Sequence, residues 1–138
     1  MEEKQQEVWQ TNTQNGIKVC VVNVMAMDYG SSVPPGQMGK AAISASQATE
    51  KQVTSIGLST KIGITPMIGQ NDLPGEIFSL DDARSLVAFA KQNSYVSMLS
   101  MWSLGRDKPC DTGTGGSVSP TCSSISQQQY DFVKILGG

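Results

Sequence analysis

An almost unbroken apolar run, Val21-Val22-Asn23-Val24-Met25-Ala26-Met27, stops abruptly at Asp28-Tyr29-Gly30. A parallel strand covered on both faces reads this way, because consecutive apolar side chains point to opposite sides and each side needs cover. In barrels and doubly wound sheets of such strands the reactive groups collect where the strands end. Asp28 and Tyr29 therefore mark a candidate site.

Apolar runs alternate with amphipathic stretches along the rest of the chain, the pattern of strand and helix units that build a parallel sheet. A polar lead, Glu2 to Gln14, reads as a helix ended by Asn15-Gly16, where glycine supplies a left-handed C-cap. The first strand spans Val19 to Met27, with Cys20 near the start of its buried run. Lys40 to Ile56 follows as a helix whose face of Ala41, Ala42, Ala45, Ala48, Val53 and Ile56 suits a sheet. Lys61 to Gly69 is the second strand, and Pro66 within it implies a point where no N–H is needed. Ser79 before Leu80-Asp81-Asp82 is a good N-cap, with acids in the first turn, for a helix over Leu80–Asn93. Tyr95 to Trp102 is the third strand, and Ser126 to Leu136 reads as a closing helix. The expected fold is α/β: a leading helix (1–16) and three strand–helix units (17–57, 58–93, 94–138) in one domain around a parallel sheet. Three strands cannot close a barrel, and the outer two would leave unpaired N–H and C=O groups. The expectation is a piece of a larger protein, pairing with a copy or a partner, or a small open sheet.

The chain has 138 residues, against about 250 for a full eight-unit barrel. Ten basic and twelve acidic residues give a net charge of −2, with no basic stripe for a run of phosphates, so nucleic acid is not an expected partner. No stretch approaches the roughly 20 apolar residues of a membrane span, and MEEKQQEVWQ is too acidic and polar for a signal peptide. The absence of histidine removes Ser-His-Asp and Cys-His chemistry and makes a Cys/His metal site untenable. No cofactor is expected either: there is no Gly-x-Gly-x-x-Gly, and Thr112 to Gly116 lacks the Lys-Ser or Lys-Thr of a phosphate loop. Cys110 and Cys122 flank a loop rich in Gly, Ser and Thr. A bridge between them would stabilise by about 2–3 kcal/mol in the chain-entropy view. It would also place the protein in an oxidising compartment; the alternative is two free thiols in a reducing one.

Three segments, taken in order, resemble the last three strand–helix units of glycoside hydrolase family 18, the chitinase family, over about Asn15 to Leu136. Met25-Ala26-Met27-Asp28-Tyr29 resembles the end of that family's sixth strand in a bacterial subgroup. Ile64-Thr65-Pro66-Met67-Ile68-Gly69, followed by Gln70, Asn71 and Asp72, resembles the seventh. Met98-Leu99-Ser100-Met101-Trp102-Ser103, followed by Arg106-Asp107, resembles the eighth, whose tryptophan floors the cleavage point. The resemblance implies a (β/α)8 barrel acting on β-1,4-linked N-acetylglucosamine polymers. It implies substrate-assisted retaining hydrolysis, in which the acetamido oxygen attacks the anomeric carbon and a glutamic acid protonates the leaving oxygen. The family carries that acid in Asp-x-x-Asp-x-Asp-x-Glu at the fourth strand. No such spacing occurs in this chain, which therefore holds no catalytic residue and lacks general-acid catalysis worth about 10² to 10⁴ in rate.

The roles left are positioning and stacking in a chitin-binding cleft. Trp102 offers an aromatic face to a sugar ring, with core filling as the alternative. Asp28 would accept hydrogen bonds from sugar N–H or hydroxyl groups, or cap its own loop. Tyr29 could donate to an acetamido oxygen, although many family members carry that tyrosine at the position of Met27. Met25 and Met27 share one side of the strand and line the barrel interior by packing, with pocket lining second. Gln70, Asn71 and Asp72 suit hydroxyl recognition or turn formation. Glu76 and Asp107 are the other acids near strand ends and either could be paired with Asp28. The resulting expectation is the C-terminal part of an extracellular chitinase-like enzyme that takes chitin or its oligosaccharides. It is completed by an upstream barrel segment or by self-association. The alternatives are a non-hydrolytic carbohydrate-binding module and a self-assembling scaffold.

Overall fold

The computed structural model describes residues 2–138. Along the chain run α1 (Glu2–Gln14), β1 (Val21–Ala26), α2 (Met38–Ser55), β2 (Lys61–Pro66), β3 (Gly69–Gln70), β4 (Ile77–Phe78), α3 (Leu80–Gln92), β5 (Val96–Leu99) and α4 (Asp131–Leu136). The main sheet has the order β1-β2-β5 and is parallel throughout, from Val21 opposite Lys61 to Ala26 opposite Pro66 on one side of β2. On the other side Ile64 lies opposite Leu99, after an irregularity between Ile62 and Gly63. Backbone pairing continues past β5. The Ser100 N–H donates to the Ile64 carbonyl (2.9 Å), Trp102 N–H to Pro66 (2.8 Å) and Ile68 N–H to Trp102 (2.9 Å). Pro66, with no N–H of its own, thus still serves the sheet through its carbonyl.

One face of the sheet carries the core. Val22, Ala26, Ile62, Ile64, Ile68, Phe78, Leu86 and Phe132 are buried there against the helices, and Trp9 of α1 packs against the same cluster. The opposite face corrects an expectation: β1 is covered on one side only. Val21, Asn23 and Met25 alternate outward with buried Val22 and Ala26, and no element of the described residues covers them. An apolar run predicts two-sided burial only where a second layer exists to provide it. Cys20, expected near the start of a buried run, is likewise exposed and free.

Helix ends follow local chemistry. Gly16, at φ +78°, turns the chain out of α1. At α3 the Ser79 hydroxyl accepts from Asp82 N–H (3.1 Å) while Asp82 accepts from Ser79 N–H (2.8 Å), a reciprocal capping box. Asp82 also accepts the Gly39 N–H at 3.1 Å, which ties the start of α2 to the start of α3.

The closing helix is shorter than its sequence implies, covering Asp131–Leu136 rather than Ser126–Leu136. Asp107, far upstream, dictates this start. Its carboxylate accepts from Phe132 N–H (3.1 Å), Val133 N–H (2.8 Å) and the Gln127 amide (2.7 Å), and Tyr130 turns left-handed at φ +67° to make the approach. The second strand also ends early, at Pro66; Gly69–Gln70 instead pair antiparallel with Ile77–Phe78. Cys110 and Cys122 form a disulfide, with Cα atoms 5.1 Å apart, that closes the Gly- and Ser-rich loop. Among the described residues no helix is long and apolar enough to cross a membrane.

Candidate functional site

Three adjacent parallel strands bring their C-terminal ends together, and each delivers a candidate: Asp28 after β1, Asn71 and Asp72 after β2, Trp102 after β5. On the uncovered face the two-residue period groups Asn23 and Met25 of β1 with Gly63 and Thr65 of β2 and Met98 of β5. The Thr65 hydroxyl donates to Asn23 Oδ1 at 2.9 Å. Gly63 leaves the room these side chains use, since a Cβ there would meet Met98 Cε at 2.6 Å and Asn23 Oδ1 at 2.8 Å. Continuing the period beyond β5 places Ser100 and Trp102 on the same face. Trp102 is 55% exposed, an unusual state for an indole at the end of a sheet strand and the opposite of core filling. Met25 is exposed on this face and Met27 half-buried.

Asp28 is exposed and left-handed, at φ +51°. Its N–H donates to Asn71 Oδ1 (3.4 Å), its Oδ1 accepts the Asp72 N–H (3.1 Å), and the next N–H, of Tyr29, donates to Glu76 Oε2 (3.2 Å). The β2–β4 connection thus holds the Asp28–Tyr29 turn from beneath. Asp28 does cap a loop, and its carboxylate still faces solvent.

Tyr29 departs from the role expected of it. Its ring packs on the core and helps line a cavity of about 670 Å³ with Val33, Pro34, Lys40 and Ala41 of the following loop and α2, away from the uncovered face. The left-handed Asp28 interrupts the strand period, so Tyr29 cannot continue the side of Met25. Burial, and then the Glu76 carboxylate, push the Tyr29 hydroxyl up to about 12 from its ordinary value of 10.0. Because the folded value lies above the unfolded one, the stability Tyr29 contributes is complete below about pH 10 and is lost as pH rises toward 12. Tyr29→Phe is expected to flatten this alkaline loss in urea unfolding followed across that window; identical pH profiles for the two proteins would refute it.

Gln70 and Asn71 are buried, and their amides are committed to backbone. Gln70 Nε2 donates to Asn71 O (2.9 Å) and Leu73 O (2.8 Å); Asn71 Nδ2 donates to Met67 O (2.9 Å) and Gly69 O (3.1 Å). These bonds build the turn, and the ligand-facing role expected of the two residues does not fit this geometry. Neither Glu76 nor Asp107 makes an exposed carboxylate pair with Asp28. Glu76 lies buried under the Tyr29 peptide, and Asp107 is fully buried at the start of α4. Two residues important to this region escape a sequence reading: Asn23, whose one clue is that it breaks an apolar run at strand period, and Arg106, a lone cation that reads as surface.

No protein-family profile matches the chain. It is 33% identical to a "Probable bifunctional chitinase/lysozyme" of Escherichia coli (strain K12), over 88% of this chain and 15% of that protein. It is 35% identical to "Endochitinase 11" of Metarhizium anisopliae, over 68% of this chain and 20% of that protein. Crystal structures of catalytic-site mutants of active domain 2 of the chitinase from Pyrococcus furiosus superpose on 96% of this chain and 44% of theirs, with TM-score 0.82 and 31% identity. The chain is related to chitinases. One of those crystal structures holds that domain in complex with chito-oligosaccharides. The chitinase-like chain spans a fifth or less of the two curated relatives and under half of the crystallised domain. Its three parallel strands and their helices match a fragment of a chitinase catalytic domain. Its strand ends present an exposed indole and an exposed carboxylate, a pair suited to holding a polar ring with an apolar face.

Proposed function

We propose that this chain is the C-terminal part of a family 18 glycoside hydrolase, supplying the last three strand–helix units of a (β/α)8 barrel and one wall of a cleft for β-1,4-linked N-acetylglucosamine polymers. In the complete enzyme the reaction is substrate-assisted, retaining hydrolysis, with the protonating glutamic acid on a segment outside these 138 residues. Trp102 stacks beneath a sugar ring, Asp28 accepts from the sugar's N–H or hydroxyl groups, and Met25 and Met27 line the wall. The uncovered face of β1, β2 and β5 packs against the remaining barrel strands. The protein works outside the cell, where the Cys110–Cys122 bridge is stable. The single observation that carries this reading is Trp102: an indole 55% exposed at the end of a paired strand, in a chain related to chitinases.

A second reading, binding without hydrolysis, is favoured by the lack of Asp-x-x-Asp-x-Asp-x-Glu among the 138 residues. Both readings predict the same first result. In a fluorescence titration with N-acetylglucosamine oligomers, Trp102→Ala should weaken binding about tenfold or more, since loss of an aromatic stacking face removes about 1–2 kcal/mol. Unchanged affinity in a folded variant would defeat both. Hydrolysis separates them: the longer protein that contains this chain and the acid motif should cleave the oligomers, whereas a binding module should not.

A further inference from the structure

Arg106 is 1% exposed, and among the described residues no carboxylate forms an ion pair with it. Its guanidinium is satisfied by main-chain carbonyls alone. Nη1 donates to Ile68 O (2.8 Å) and, at 3.4 Å, to Trp102 O; Nη2 donates to Gln70 O (2.6 Å); Nε donates to Ser119 O (2.8 Å). These acceptors belong to three separate pieces of chain. Ile68 and Gln70 continue from β2, Trp102 ends the β5 side, and Ser119 lies in the loop closed by the Cys110–Cys122 disulfide.

Burying a cation without a counter-charge is an unfavourable way to fill space, and an apolar side chain of similar volume would do that better. What a guanidinium provides instead is geometry. Its planar fork spans the carbonyls of residues 68 and 70 with one edge while Nε reaches a third strand of chain, a reach that the compact ammonium of lysine lacks. Burial lowers the Arg106 pKa, and the Asp72 and Asp28 carboxylates at the strand ends act against that, so the cation belongs electrostatically to the same region as Asp28.

We propose that Arg106 is a positioning residue for Trp102. By binding the Trp102 carbonyl, the end of β2 and the disulfide-closed loop at one centre, it sets the height and angle at which the indole meets a sugar ring. This rests on the reading that Trp102 is the stacking platform. The loop from Cys110 to Cys122 thereby acts on the cleft through Ser119, without touching sugar.

The test uses the chain with Trp9→Phe, which leaves Trp102 as the sole indole. Arg106→Lys keeps the charge and loses the fork. Leu86→Ala, in the core under α3, is a control destabilised away from the strand ends. Without sugar, Arg106→Lys should lose most of the near-ultraviolet circular dichroism of the indole and lower its emission anisotropy, while Leu86→Ala keeps both. With the N-acetylglucosamine tetramer, Arg106→Lys should bind about tenfold more weakly at unchanged far-ultraviolet signal, and Leu86→Ala should bind as the parent does. A wild-type indole spectrum and anisotropy in folded Arg106→Lys would overturn the proposal. If Trp102→Ala binds the tetramer normally, the platform reading fails, while the sugar-free spectra still decide what Arg106 does. Should Arg106→Lys not fold, hydrogen exchange in the parent protein decides: the Arg106 guanidinium protons and the Trp102 amide should open at one common rate, and two unrelated rates would refute the link.

Discussion

Asp107→Ala is expected to lower stability by about 4 kcal/mol, and the melting temperature by about 15 °C. The carboxylate accepts three hydrogen bonds, from the Phe132 and Val133 N–H groups and the Gln127 amide, at 2.7–3.1 Å in a fully buried setting. Losing a helix N-cap alone removes about 1–2 kcal/mol, and each buried donor left without an acceptor adds roughly 1–3. The consequence spreads through α4. Six residues cannot hold a helix by propensity, so α4 depends on this cap and on Phe132, whose ring sits 6.4 Å from that of Phe78 in the core. Asp107→Asn keeps one acceptor and turns an NH2 toward the backbone donors, so it should lose at least half as much. Thermal unfolding of the two variants checks this; a loss under about 1 kcal/mol for Asp107→Ala would show that α4 has another cap.

The strands were legible because apolar runs of the right length bounded by Gly, Pro and polar residues have few other uses. The helix beginning at Leu80 was legible because its cap is local: Ser79 and Asp82 lie three residues apart. The closing helix was overextended for the converse reason. Its start is decided by Asp107, more than twenty residues upstream, and by a left-handed Tyr130 that no local pattern announces. Burial of polar groups was equally hidden. Gln70 and Asn71 look like exposed groups beyond a strand, yet each finds backbone carbonyls within a few residues and so can be buried without penalty. Tyr29 was misplaced by one unusual φ at Asp28, which ends the alternation that strand reasoning relies on. Trp102 and Asp28 were found at the strand ends, as the topology of parallel sheets requires, while Arg106, which binds only carbonyls, leaves no sequence partner to find.

Gly69→Ala should be the other severe substitution, losing about 3–5 kcal/mol. Gly69 has φ +70°, and a Cβ built there would overlap the backbone carbonyl oxygen of Ser123 and lie 2.7 Å from its Cβ. The left-handed conformation alone accounts for about 1–2 kcal/mol in a residue with a side chain. Gly16 isolates that part: at φ +78° it has nothing within 4 Å of the added carbon, so Gly16→Ala should lose only about 1 kcal/mol. The excess at position 69 comes from pushing Ser123 away, which breaks the 2.9 Å bond from Gln70 N–H to the Ser123 carbonyl. That bond joins β3 to the far foot of the disulfide-closed loop, so displacing it also shifts Ser119 and the guanidinium of Arg106. Gly69→Ala should therefore weaken oligosaccharide binding in the fraction that stays folded, and Gly16→Ala should not. Equal stability losses at the two glycines, measured by urea unfolding, would mean that the Ser123 segment yields freely and that the loop is not braced against β3.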